Sequence, residues 1–367
     1  MYSLSYLYQA LGDNYYADRC ELAAFNALPA ALAPDWWSRV YMIQPNSPWS
    51  KNLTQTPFSD VNTMGQMFSL EGNYPCCTVN HPQGYPKFLS ASFVFVDASG
   101  LGHALLSPAN VTTELPNGAK VTVSSITNYP FDLSITYRIN ASQEFDFYVR
   151  VPSWADVSGT TVAVAGGIAK TVIPHPKTGM HKIPIVLAGA TNITYTLSTT
   201  PRFEQRPNST VAIHYGPLLY SILISSTNSS QPPWDYKAKR FHPEGYAPPQ
   251  VRDWTITNTS AWNYAIDPST LTYYSPGSKA APGTPLPNPI WAPNAPPNYM
   301  TVKGCQIEWP LYKQSVPAKV PLPVARKCIG DVVEIKLVPF GSAKLHMTDL
   351  PTIELKKKME EEQQKVL

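Results

Sequence analysis

Ala119-Lys120-Val121-Thr122-Val123-Ser124-Ser125-Ile126 puts Ala119, Val121 and Val123 on one side of an extended chain and Lys120, Thr122 and Ser124 on the other. Successive side chains of a strand point to opposite faces, so this spacing predicts a strand with one face buried. The same period recurs on both sides of it: Ser92 to Asp97, Asp132 to Arg138, Glu144 to Val151, Thr160 to Ala165, Lys182 to Val186 and Asn192 to Leu197. Pro, Gly and Asn separate these segments, and short strands at such intervals predict a β-sandwich. Residues 211–225 read as one more buried strand pair. A Ser-, Asn- and Pro-rich stretch then opens a second β-rich region, in which Ala281 to Pro297 is too rich in proline for a helix or a central strand and is expected to be an exposed extended loop.

Upstream of the strands the period changes. Leu4, Leu7, Tyr8 and Leu11 form a helical stripe, Gly12-Asp13 a break, and Tyr15 to Leu28 a second helix ended by Pro29 and Pro34. A tryptophan-bearing loop, Asp35-Trp36-Trp37, follows, then irregular chain as far as Tyr74-Pro75-Cys76-Cys77-Thr78-Val79-Asn80-His81. Vicinal cysteines in a turn suit a metal-thiolate site, as two ligands or as one ligand beside a reactive sulfur; the plainer reading is two cysteines bridged to different partners. Cys305 and Cys328 flank strand-like stretches and are expected to pair, the alternative being two buried free thiols.

Only 14% of the 367 residues are charged and the formal net charge is +3. The cluster Lys356-Lys357-Lys358 is followed at once by Glu360-Glu361-Glu362, so electrostatics offers nothing to nucleic acid or to an anionic membrane. No apolar run approaches the roughly 20 residues of a membrane span. Asn-x-Ser/Thr acceptor sequences stand at Asn52, Asn110, Asn140, Asn192, Asn208, Asn228 and Asn258, none with proline in the middle. With low charge and many aromatics they predict a secreted glycoprotein. Met1-Tyr2-Ser3-Leu4-Ser5-Tyr6-Leu7-Tyr8 lacks the basic start and cleavage site of a secretory leader, so any leader is expected upstream of Met1.

Several short stretches together resemble one family. Gly12-Asp13, Tyr16-Ala17-Asp18, Glu21 and Phe25-Asn26 are similar to its helix-loop-helix, and Cys76-Cys77-x-x-Asn80 to its Cys-Cys-Pro-x-Asn turn. Thr127-Asn128-Tyr129-Pro130-Phe131, Arg150-Val151-Pro152-Ser153-Trp154, Gly216-Pro217-Leu218-Leu219-Tyr220, Trp262-Asn263-Tyr264-Ala265 and Val338-Pro339-Phe340-Gly341 follow in the family's order. The family is that of the β-L-arabinofuranosidase-type glycoside hydrolases with a zinc-bound cysteine nucleophile, and the chain resembles the C-terminal portion of a secreted, fungal-type member.

The resemblance implies a mainly β fold: the end fragment of an (α/α)6 helical barrel, a six-hairpin glycosidase architecture, in residues 1–88. Two β-sandwich-like domains follow at 89–227 and 228–350, the last strands free to return to the first sandwich, and then a charged tail at 351–367. It further implies that Cys76 is the nucleophile, that Cys77 and Cys76 bind zinc, and that Glu21 and Tyr41 touch the hydroxyls of an arabinose-containing glycan. Asn80 is expected to cap or tie the turn rather than touch substrate, and His81 to be structural rather than a hydrogen-bond donor beside the site; Cys20, where the family has an apolar residue, is expected to be a buried thiol.

Thr78 replaces the family's proline. The family's other zinc ligands, a Glu-x-Cys pair, and its acid/base Glu belong upstream of the first helix, so the chain is expected to hold zinc poorly and to be inactive by itself. Residues 1–88, without the rest of a helical barrel, are expected to lie on the sandwich or to be poorly ordered. Two other readings remain open. One is a non-catalytic carbohydrate-binding or structural β-sandwich module; the other is an enzyme using Glu21 and Glu71 as its carboxylate pair.

Overall fold

The structure is a computed structural model that describes residues 1–70, 74–183, 187–275, 285–313 and 316–355. Glu71, the segment Pro184 to Val186 and the tail beyond Leu355 lie outside the described residues.

Helix α1 (Tyr2–Leu11) stops where Gly12 turns left-handed at φ 60° and returns its N–H to the Tyr8 carbonyl, a conformation that suits glycine. Asp13 then caps α2 (Asn14–Leu22) by accepting from the Tyr15 N–H. The helix runs on through a π-turn, Ala23–Ala27, into α3 (Leu28–Ala30). Irregular chain leads to α4 (Pro75–Asn80) and α5 (Gly84–Ser90).

Among the described residues, nine strands between Phe93 and Thr196 make the first sheet. Its spine is the 17-residue strand Ser134–Arg150. The front half of the spine lies between Lys120–Thr127 and Leu187–Thr196, both antiparallel. The rear half lies between Met180–Lys182 and Gly100–His103, the latter parallel. Ile135, Tyr137, Ile139, Ala141, Phe145, Phe147 and Val149 all point inward, so one parity of the sequence serves both halves. Exposed Ser142, Gln143 and Glu144 mark where the strand changes neighbours.

Among the described residues the second sheet has eight strands, six in the order Arg202–Arg206, Thr210–Tyr215, Leu218–Ile222, Val333–Pro339, Tyr299–Gln306, Tyr264–Ile266, while Thr272–Tyr274 and Leu350–Pro351 join at Tyr299–Gln306 and Thr210–Tyr215. Residues 202–222 pair with strands from beyond residue 263, so the change of sheet falls between Thr196 and Arg202. A separate ribbon pairs Ser226–Gln231 with Asp253–Asn258. Cys305 and Cys328 are joined by a disulfide.

The helical segment lies on the sheets, and a single apolar cluster runs through all three. Arg150, fully buried, sets its Nη1 2.5 Å from Asp18 Oδ1 and its Nη2 2.5 Å from Glu21 Oε1. Its Nε donates to the Ala104 carbonyl. Asn26 donates to the Pro217 carbonyl at 2.8 Å and accepts from Leu219 N–H at 2.8 Å, fixing the Gly216-Pro217 hairpin. Lys344 Nζ donates to the carbonyls of Pro29 and Gly341, each at 2.8 Å.

A Cβ on Gly341 would fall 2.7 Å from both Pro29 Cγ and Trp291 Cε3. Trp291 is the exception to the expected exposed proline-rich loop. It is 6% exposed, tilted against Phe131 at 5.1 Å, so the described part of that loop is pinned to the core.

Candidate active site

The cysteine pair sits at the start of α4, and a buried arginine holds that helix from below. Arg39, 3% exposed, donates from Nη2 to the Tyr74 carbonyl and to Thr78 Oγ1, and from Nε to Thr78 Oγ1 at 3.2 Å. Thr78 in turn donates to the Leu70 carbonyl at 3.0 Å. Asn80 Nδ2 reaches back to the Cys76 carbonyl at 2.7 Å, which ties the helix on itself. Arg39 stands in no recognisable motif; only an arginine inside the short Arg39 to Ile43 segment could have flagged it.

Cys76 is exposed and Cys77 half-buried. Their sulfurs are 3.9 Å apart, about twice a disulfide bond length. Burial pushes the Cys77 thiol up, the Arg39 guanidinium opposes that, and the contact with Cys76 adds to it. Tyr41, 38% exposed, stacks on Tyr74 with ring centroids 3.5 Å apart, and the Tyr74 hydroxyl accepts from Asn62 N–H at 2.8 Å. A cleft of about 410 Å³ opens beside these rings, lined by Tyr41, Asn80, His81, Lys87, Met1 and Tyr2 among others. That volume suits a small ligand. The two cysteines lie outside its lining and share α4 with Asn80.

His81 Nδ1 is buried and finds no hydrogen-bond partner among the described residues. Burial and then Arg39 lower the His81 pKa. No group of three or more His, Cys, Asp and Glu side chains among the described residues is close enough to hold a metal ion. Two thiols are half of a tetrahedral zinc shell, so these residues by themselves do not fit a resident zinc.

Glu21 is a correction. It is fully buried, with Oε1 accepting from Leu106 N–H at 2.8 Å and Oε2 from the Tyr129 hydroxyl at 2.6 Å, besides the Arg150 pair. A carboxylate so enclosed cannot touch a sugar, and its work is to bind α2 to the first sheet. Burial pushes its carboxyl up while Arg150 and the hydrogen bonds act in the opposite direction. Its proposed partner in a carboxylate pair, Glu71, lies outside the described residues. Cys20 is buried, and burial pushes its thiol up to about 12.

No family model and no curated protein matches this sequence. Solved structures do. A GH127 β-L-arabinofuranosidase from Geobacillus stearothermophilus T6 is 15% identical with a TM-score of 0.57, covering 95% of this chain and 47% of its own. A structure described as a glycoside hydrolase is 13% identical with a TM-score of 0.62, covering 95% and 50%. A further GH127 β-arabinofuranosidase is 15% identical with a TM-score of 0.59, covering 95% and 48%. The chain spans about half the length of the structures it matches, and across that span its fold is that of these glycoside hydrolases.

Proposed function

We propose that this chain is part of a retaining glycoside hydrolase for β-L-arabinofuranoside-type linkages, in which Cys76 is the nucleophile. The observation that carries the reading is the vicinal pair, Cys76 exposed and Cys77 half-buried, on the helix whose Asn80 lines the Tyr41 cleft, in a chain with a glycoside hydrolase fold. In the proposed reaction the Cys76 thiolate attacks the anomeric carbon, the glycosidic C–O bond breaks, and the leaving oxygen takes a proton from a carboxylic acid. Water, giving a proton to the carboxylate left by that acid, then displaces the sulfur as a thiolate, and two inversions give retention. Tyr41 and the cleft contact the sugar. With donors contributed from outside the described residues, Cys76 and Cys77 would bind zinc, whose charge would keep the sulfur ionised.

Glu21 is enclosed and cannot be the acid, and no three ligating groups converge at the cysteines among the described residues. The chain by itself is therefore expected to bind the sugar without turning it over. A chromogenic β-L-arabinofuranoside tests this: release no faster than with Cys76→Ala is expected. Release that scales with protein and vanishes in Cys76→Ala would uphold the nucleophile and overturn the inactivity; release that scales with protein and persists in Cys76→Ala would overturn the nucleophile.

A further inference from the structure

We propose that the outer face of the first sheet is a glycan-bearing surface, with N-linked oligosaccharides on Asn110 and on Asn140, Asn192 or both. These three acceptor sequences lie within strands of that sheet, Ala109–Glu114, Ser134–Arg150 and Leu187–Thr196. The register places them together. Asn110 is opposite Ser124, Ser124 opposite Arg138, and Arg138 opposite Asn192, one continuous row across four strands. Asn140 sits in the adjacent row, opposite Thr122, which is itself opposite Thr112, the hydroxyl residue of the first acceptor.

Cross-strand partners share a face, so all three asparagines leave the sheet on the same side. Strand geometry also aims each site correctly. In Asn-x-Ser/Thr on a strand, the asparagine and the hydroxyl point one way and the middle residue the other. Here the middle residues are Val111, Ala141 and Ile193, half-buried, buried and fully buried, while the three asparagines are exposed. No hydrogen bond holds their amides among the described residues.

The other four acceptors differ. Asn208 is half-buried at φ 59° with its carbonyl taken by Arg326, and Asn258 is half-buried and donates its amide to the Ser260 carbonyl at 3.2 Å. Asn52 and Asn228 are exposed but lie outside this sheet. The Cys305–Cys328 disulfide independently fits passage through an oxidising secretory compartment.

The reaction needs a lipid-pyrophosphate-linked oligosaccharide. A bond forms between Asn Nδ2 and the anomeric carbon of the first sugar, the bond from that carbon to the phosphate oxygen breaks, and one amide proton is lost to a base. Asn110 and Asn192 are three strand spacings apart, roughly 14 Å, which gives each glycan room. Asn140 and Asn192 are diagonal neighbours at about 7–8 Å, so they crowd one another. A face so covered is closed to protein docking. This inference is independent of the glycosidase reading.

The test is secretion of the full chain from a eukaryotic host behind a secretion leader, enzymatic deglycosylation in ¹⁸O-water and peptide mapping. The expected result is ¹⁸O-labelled aspartate at position 110 and at 140, 192 or both, with the corresponding mass absent from the Asn110→Gln, Asn140→Gln, Asn192→Gln triple variant. An unmodified Asn110 in the secreted protein, or Asn140 and Asn192 both unmodified, overturns it.

Discussion

Arg150→Met is expected to lower the unfolding free energy by about 3–5 kcal/mol, a loss that few single substitutions reach. The guanidinium has no exposed surface, and its charge is matched by Asp18 and Glu21, both at 2.5 Å. Burial works against its charge, but the two carboxylates hold it protonated, above its ordinary value. Methionine fills much of the volume and supplies no charge, so Glu21 would be left fully buried with only the Leu106 N–H and the Tyr129 hydroxyl as partners.

Asp18 keeps the Ser153 backbone N–H at 3.1 Å, and the Ser153 hydroxyl, and is less affected. Because this network joins α2 to the first sheet, hydrogen exchange in α1 and α2 should rise before exchange in the strands. Denaturant titration with exchange readout checks both statements. A loss below about 1 kcal/mol, the size expected of a surface pair, would mean that the network does not fasten α2 to the sheet.

Arg39→Ala is expected to release the cysteine helix while leaving the β-sheets intact. Tyr74 O and Thr78 Oγ1 would lose a buried charged donor, at about 1–3 kcal/mol for each group left unsatisfied. Thr78 retains its bond to the Leu70 carbonyl, so the opening is local. Since about 1.4 kcal/mol is a factor of ten in an equilibrium, alkylation of half-buried Cys77 should accelerate severalfold, the opening outweighing the loss of the Arg39 charge that favours its thiolate. Exposed Cys76 should change little, and buried Cys20 should remain protected. Timed alkylation with peptide mapping gives the answer, and an unchanged Cys77 rate would mean that Arg39 does not restrain α4.

Ala119 to Ile126 is legible as a strand because one face is buried and the other wet, and it is observed as Lys120–Thr127. The helical stripe ending at Gly12 is legible for the same local reason. The true change of sheet is not. Strands 210–222 read as one more buried pair after their predecessors, and what assigns them to another sheet is pairing with Val333–Pro339, more than a hundred residues away. No local pattern carries that information.

Glu21 shows the same limit at the site. Its place in a helix is readable, but the group that claims it, Arg150, comes from the end of a distant strand. Tyr129, Arg150, Pro217 and Gly341 all come from stretches that support the family resemblance. In the structure they fasten the helical segment to the two sheets, a role visible only once the segments meet. Tyr41 is the contrasting case, standing half-exposed at the cleft beside α4.

The proposed function depends on a sugar ring resting against Tyr41 with its anomeric carbon facing Cys76. Protection of Cys76 from alkylation tests that placement directly on this chain. A β-L-arabinofuranoside is expected to slow carboxamidomethylation of Cys76 in a saturable manner, a glucoside is expected not to, and Tyr41→Ala should abolish the effect. Equal Cys76 rates with and without the arabinofuranoside, up to the solubility limit of the sugar, would contradict it.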